Sequence, residues 1–336
     1  MRKAFYSRGA TVLVLPRFVS QVVLTVGLCG LLIGCSKDPD EPVAAPAAPA
    51  RISVPQSGFS PEGIQYDETN KRFVVSSRTR GRLSTVKDDS TFAQLADDPR
   101  LVSTIGLNLD ASRQRLLVAV ADNGSNTARS TSATVRKLAA LAVFNPTTGS
   151  LTSYVDLGGL RPNLPHFAND IAVDAQGNAY ITDSLSPIIY KVDAQGAATV
   201  FLENAQLSGG SGFGMNGIVF HPDGYLLVAK SNDGTLFKVP VANPAGFTIV
   251  TSNQSLVGAD GLLLLDPQTL LVVAGSQSTV YRVASADAWA TARSTGSFPT
   301  GPVSPTTITR RNATDAFVLY PYQATSPRFA IVKVNF

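Results

Sequence analysis

The stretch HFANDIAVDAQGNAYITDS, residues 166–184, decides how the rest of the chain is read. IAVD runs as a short apolar strand, AQGN supplies a turn, and AYITD returns as a second strand. The first strand nevertheless opens on Asn169 and Asp170, residue types that strands usually avoid. Either they finish a turn or they point at something. The same frame recurs in EGIQYDETNKRFVVSS from 62, IGLNLDASRQRLLVAV from 105, NGIVFHPDGYLLVAKS from 216, DGLLLLDPQTLLVVAG from 260 and TTITRRNATDAFVLYP from 306.

A third apolar strand follows most copies (RLSTV, LAVFN, IIYKVD, TLFKVP, TVYRVA, FAIVKV), and some add a fourth, such as SYVDL, TVFLE or FTIVT. Starts lie roughly 45 residues apart, the period of four-stranded propeller blades. The competing reading is a sandwich of evenly spaced strands. In-register hairpins repeated at one period favour an all-β, six-bladed β-propeller. Little helix is expected, beyond one turn over ADAWATAR at 286–293. The sixth unit ends after its third strand at Phe336, so RISVP at 51–55 is expected to complete the last blade and cover an open edge.

The first residues of the six frames are Glu62, Ile105, Asn169, Asn216, Asp260 and Thr306. Asn-Gly and Asp-Gly are common turn pairs, and each could be no more than that. Glu62 has no special turn role. Innermost propeller strands line the central channel, so equivalent first residues form a ring at one end of it. Two carboxylates and two amide oxygens, without imidazole or thiolate, make a hard donor set that suits Ca2+, with Mg2+ or another divalent cation as the alternative. Without an ion the carboxylates would repel, and one would tend to protonate.

PEGIQYD, ANDIAVD, MNGIVF and ADGLLL resemble the calcium-bearing six-bladed propellers of the regucalcin, gluconolactonase and luciferin-regenerating-enzyme group, over about residues 56–336. The resemblance implies that Glu62, Asn169, Asn216 and Asp260 are calcium ligands, with Asp260 also a candidate base. It implies hydrolysis of a lactone or other ester, or of a phosphotriester in a related branch, although some members have no established reaction. Sugar-lactone members often carry an Arg two positions before the first ligand Asn; here that position is Phe167, which argues against a sugar lactone. Strictosidine-synthase-like propellers are similar in blade pattern but lack the quartet. Two functions follow: a calcium-dependent hydrolase of a small-molecule lactone or ester, and a non-catalytic, calcium-stabilised propeller that binds a ligand or protein partner through its metal-side face.

Chain direction places loops between second and third strands on the metal face, with the loops that enter each blade. Arg78, Arg80, Asp183 and Lys230 are therefore expected at the substrate rim, and His166 near it. His166 is the alternative proton acceptor, because its ordinary pKa is near neutral; a loop histidine without a role is the plainer reading. The long interval ADNGSNTARSTSATVRKLAA, 121–140, is expected to overhang the ion as a lid. His221, in a turn at the opposite end, reads as structural. No GxSxG, glycine-rich phosphate loop or HExxH is present, which disfavours serine hydrolases, nucleotide enzymes and zincins.

The N-terminus reads as a lipoprotein signal. Arg2, Lys3, Arg8 and Arg17 precede the apolar run VSQVVLTVGLCGLLIG, which ends at Cys35, a basic n-region followed by an h-region. LLIGC resembles a bacterial lipobox; an uncleaved membrane anchor is the alternative. The expected organisation is a signal over 1–34, a lipid-anchored Pro/Ala-rich tether over 35–50, and a propeller over 51–336. The expected location is the bacterial cell envelope, lipid-anchored to the outer membrane and facing the periplasm or the cell surface, as a monomer. Of 28 basic and 24 acidic residues the signal holds four and none, which leaves 24 of each. The high pI of the whole chain therefore gives no reason to expect a nucleic-acid partner. Cys29 lies in the signal and Cys35 is the expected lipid site, so the folded part contains no cysteine. With His166 and His221 as the only histidines, a multi-histidine zinc site is disfavoured.

Overall fold

The computed structural model describes residues 48–321 and 327–336. The expected signal, Cys35 and the tether up to residue 47 lie outside the described residues. A single strand, β1 (Arg51–Val54), is followed by the meander β2 (Ile64–Asp67), β3 (Arg72–Val75), β4 (Arg82–Val86) and β5 (Phe92–Asp97). The second meander is β6 (Ser103–Asp110), β7 (Arg115–Ala121), β8 (Ala139–Phe144) and β9 (Leu151–Asp156). The third is β10 (Ala168–Val173), β11 (Ala179–Asp183), β12 (Ile188–Val192) and β13 (Ala198–Glu203). Then come β14 (Met215–His221), β15 (Tyr225–Lys230), β16 (Leu236–Pro240) and β17 (Thr248–Ser252), and β18 (Ala259–Asp266), β19 (Thr269–Ala274), β20 (Thr279–Ala284) and β21 (Thr291–Pro299). The chain ends with β22 (Ile308–Arg310), β23 (Ala316–Tyr320) and β24 (Phe329–Lys333). Helix is confined, among the described residues, to five three-residue 3-10 turns.

The opening stretch folds as read. Asp174 closes its turn by accepting from the Asn178 backbone and side-chain nitrogens at 2.8 and 2.7 Å, and Gly177 takes the positive φ of +88° that the turn needs. Second and third strands are apolar at nearly every position because both faces are covered; β7, β8, β11, β15, β19 and β23 have almost no exposed residue. Outer strands such as β13 and β21 alternate between covered and exposed. The core lies between neighbouring meanders: Leu117 and Leu141 of the second pack with Ile181 and Tyr190 of the third.

The first strands touch in cyclic order, β2 to β6, β10, β14, β18, β22 and back to β2. β1 pairs antiparallel with β24, Arg51 opposite Val332 through Val54 opposite Phe329, as expected of residues 51–55. The sheet pairing adds a feature that the repeat does not announce, and one expectation needs correction. The meanders form five hydrogen-bonded sheets, because β17 and β21 pair in parallel through Thr251↔Thr291 and Ser252↔Ala292 and join two meanders into one eight-stranded sheet. Residues 286–293 form no helical turn. There Ala288 and Trp289 have φ of +54° and +64°, and the buried Trp289 ring donates to the Pro267 carbonyl at 2.9 Å, so burying the indole decides the local backbone.

Candidate metal and substrate site

Four of the first strands carry the same irregularity. Between Thr104 and Leu107, Ala168 and Ile171, Met215 and Ile218, and Ala259 and Leu262, three steps on the inner strand face two on its partner. A β-bulge inserts one residue and re-aims side chains. Asn169, Asn216 and Asp260 all stand in such bulges, which is why polar residues occur at the mouth of apolar strands. Their Gly neighbours are not turn residues: Gly217 and Gly261 lie inside β14 and β18, where the next backbone approaches closely. A Cβ on Gly217 would stand 2.1 Å from the Asp260 carbonyl oxygen.

Glu62, Asn169, Asn216 and Asp260 line one cavity of roughly 270 Å³ with Arg78, Asn123, Phe167 and Phe213. Both asparagines are buried. The Glu62 carboxyl is pushed up by burial, which the Arg78 guanidinium, Nη1 to Oε2 3.8 Å, only partly offsets. Asp260 is pushed well above the usual carboxylate range by burial first, then by repulsion from Glu62 and Asp170; Arg78 and a hydrogen bond from the Asn216 side chain pull the other way. Asp170, next to Asn169, is pushed up by burial to about 7 while its oxygens accept from the Ile171 and Ile218 backbones.

The donor set therefore fits a hard cation. Two crowded carboxyls would each be relieved by positive charge, and two amide oxygens complete a set without soft ligands. No three of His, Cys, Asp and Glu cluster as metal donors among the described residues, so any such site depends on the two amides.

Of the expected rim, only Arg78 lines this cavity. Arg80 is exposed and turns to the Gly58 carbonyl at 3.3 Å. Lys230 is buried and held by the Gln206 carbonyl at 3.1 Å and the Asp233 carboxylate at 2.8 Å. Asp183 is a fully buried loop organiser that accepts from the backbone nitrogens of Phe167, Leu185 and Ser186 and from the Tyr190 hydroxyl. His166 lies behind the wall, with Nδ1 2.8 Å from Asp183 and Nε2 2.8 Å from the Arg161 carbonyl. Nδ1 also lies 3.0 Å from the Tyr190 hydroxyl, so neighbours take up both ring nitrogens and His166 is not placed to accept a proton from the cavity. His221 is structural as expected, buried and bound to the Pro267 carbonyl.

The long loop is an anchored wall more than a lid. Asp122 ties it through Ser130 and Thr134, Arg129 bonds the carbonyls of Gly81, Asp98 and Leu101, and Asn123 reaches the cavity. Phe213, 43% exposed, stands 5.2 Å ring to ring from Phe167 and gives the mouth an apolar side. The glycine-rich run SGGSGFG around Phe213 was the only sequence signal for it, and Asn123 had none beyond loop length.

Residues 60–300 match the family described as the SMP-30/gluconolactonase/LRE-like region. No curated protein matches the chain. Among solved structures it is similar to the major allergen Mala s 1 of Malassezia sympodialis, with a TM-score of 0.69 and 18% identity over 86% of this chain and 97% of that one. It is also similar to a gluconolactonase of Xanthomonas campestris, with a TM-score of 0.59 and 18% identity over 85% and 92%, and to a luciferin-regenerating enzyme, with a TM-score of 0.58 and 11% identity over 85% and 97%. At these identities the likeness speaks to the fold, a β-propeller.

Proposed function

The chain belongs to the SMP-30/gluconolactonase/LRE-like family, and from that premise we propose that it is a calcium-dependent hydrolase of a lactone or other ester. We read its meanders as six blades, closed by β1. The observation that carries the reading is the ordered set Glu62, Asn169, Asn216 and Asp260 on one cavity wall beside Arg78. A calcium ion held by these four would polarise the substrate carbonyl and seat the attacking water. With its charge restored by the cation, the Asp260 carboxylate would be the group placed to accept a proton during hydrolysis. The Arg78 guanidinium, which lines the same cavity, would face the oxyanion that develops on the carbonyl oxygen. Phe167 and Phe213 favour a substrate with an apolar group over a polyhydroxylated one.

The decisive test is a panel of lactones and aryl esters with calcium and with chelator. Turnover lost with chelator and regained with calcium supports the reading. Calcium binding without turnover on any of them would favour the non-catalytic alternative, a calcium-stabilised propeller whose exposed Phe213 side receives a ligand or partner. Export and lipid attachment at Cys35 belong to the same proposal and place the protein in the bacterial cell envelope. Labelled fatty acid should mark the wild type, and label retained by Cys35→Ala would refute the anchor.

A further inference from the structure

An asparagine can bring either its oxygen or its nitrogen to a cation site, and only the oxygen helps. We propose that Ser184 and Ser231 are positioning residues that fix this choice for Asn169 and Asn216. The proposal rests on the calcium reading for its purpose, although not for its geometry. Ser184 Oγ donates its one proton to the Met215 carbonyl at 2.6 Å; Ser231 Oγ likewise donates to the Ala259 carbonyl. A carbonyl can only accept, so each hydroxyl has only lone pairs left for the neighbouring amide. The amide must then present its nitrogen to the serine: Asn169 Nδ2 lies 2.8 Å from Ser184 Oγ, and Asn216 Nδ2 lies 3.1 Å from Ser231 Oγ. With one proton of each nitrogen held there, Oδ1 is the end turned away from the serine, while the second proton of Asn216 Nδ2 goes to the Asp260 carboxyl. The backbone carbonyl of the next meander thus sets the polarity of the amide, with serine as the intermediary.

The equivalent positions support this assignment. Ser184 follows β11 and Ser231 follows β15, each fifteen residues after its asparagine; fifteen after Asp260 stands Gly275. The backbone bonds agree, since Ser184, Ser231 and Gly275 donate from nitrogen to the carbonyls of Phe167, Gly214 and Gly258. A carboxylate has two equivalent oxygens and needs no such lock, and there the hydroxyl is absent. Ser76, after β3, donates to the Ile105 carbonyl at 2.6 Å but accepts from the Gly63 backbone at 2.7 Å. It makes the same link between meanders without holding a ligand amide, which makes it the natural control.

The test measures calcium affinity by calorimetry, with urea stability alongside, for Ser184→Ala, Ser231→Ala and Ser76→Ala. Partners of this kind typically contribute 10- to 100-fold to metal affinity. Each of the first two variants should therefore raise the calcium Kd about 10-fold or more, while Ser76→Ala lowers stability and leaves Kd within about 2-fold. Equal Kd for the wild type and the Ser184 and Ser231 variants would overturn the lock and leave the calcium reading standing, as would a matching rise in Ser76→Ala. If the wild type binds no calcium, the calcium reading fails, and the lock is decided on side-chain amide exchange by NMR of the wild type itself. Protected Asn169 and Asn216 amide protons, lost in the serine variants, support the lock; unprotected ones in the wild type overturn it.

Discussion

Each charged residue of the site is defined by what stands beside it. Glu62 and Asp260 are both pushed up, chiefly by burial, so protons and a divalent cation compete for the same oxygens. Calcium affinity should therefore weaken as the pH falls, and Glu62→Gln or Asp260→Asn should each reduce it by about 10-fold or more while the fold persists. Binding unchanged in both variants, read by calorimetry, would return these residues to the role of simple strand polars. His166 has a different logic. Burial pulls it down, but the hydrogen bond and charge of Asp183, with the Arg161 carbonyl, outweigh that and leave it above its ordinary value. Its stabilisation is thus fully present below the ordinary histidine pKa and is lost as the pH rises through the raised one. Removing one member of a buried pair costs about 3–5 kcal/mol; Asp183 keeps its backbone donors, so His166→Gln should cost roughly 2–4 kcal/mol at pH 6 and less at pH 9. Urea unfolding at the two pH values checks this, and a cost that grows with pH would contradict the charged state. Calcium binding should not change, because His166 does not reach the cavity.

Among the elements, the inner strands carry most of what could be read in advance. The hairpins were legible because strand alternation and Asp/Gly turns are local signals, and the quartet was legible because all four residues occupy one frame position. The bulges were not, since one extra residue per strand leaves no mark until two strands are paired. For the same reason Asp183 and Lys230 looked like rim residues: their loops lie on the expected face, but nothing local says whether a charge there turns outward or ties its own loop. The frame glycines looked like turn signals and are instead points of close approach between strands. Gly217→Ala would place Cβ 2.1 Å from the Asp260 carbonyl oxygen, and Gly106→Ala would place it 2.3 Å from the Asn169 carbonyl oxygen. Backbone cannot yield as a flexible side chain does, so each should cost about 1–3 kcal/mol. Because they would displace the strands that carry Asn169 and Asp260, both should weaken the proposed calcium binding as well. Gly212→Ala, whose nearest neighbour is 3.8 Å away, is the control and should lie within about 0.5 kcal/mol of wild type. Equal stability of Gly217→Ala and the control would show that the strands are not in tight contact.

For the whole molecule, the repeat made the architecture legible but not the parallel seam between β17 and β21, which no strand pattern announces. Closure was legible for an arithmetical reason, since the last repeat lacks a strand and the segment before the first supplies one. β1 joins a sequence separation of nearly the whole folded part, pairing with β24 along all four of its residues. Ile52 and Val54 are buried with Phe59, Phe317 and Phe329, and the Lys333 backbone nitrogen donates to the Ala50 carbonyl at 2.9 Å. Deleting residues 51–54 removes two buried aliphatic side chains, each contributing about 1.5–3 kcal/mol, and exposes the edge of β24. The loss should therefore be about 3–6 kcal/mol in urea unfolding, with self-association in sedimentation as the bare edge seeks a partner. Val54→Ala isolates the packing part: it should destabilise by about 1–3 kcal/mol without new self-association, because the strand still covers the edge. Asn169, Asn216 and Asp260 lie on first strands held in a ring and Glu62 stands just before another, so opening the ring should loosen all four proposed oxygen donors together. The deletion should accordingly lower calcium affinity, although β1 touches none of them. A deletion variant of unchanged stability and affinity would mean that the ring holds without β1, and that the strand only decorates a sheet already closed by side-chain packing.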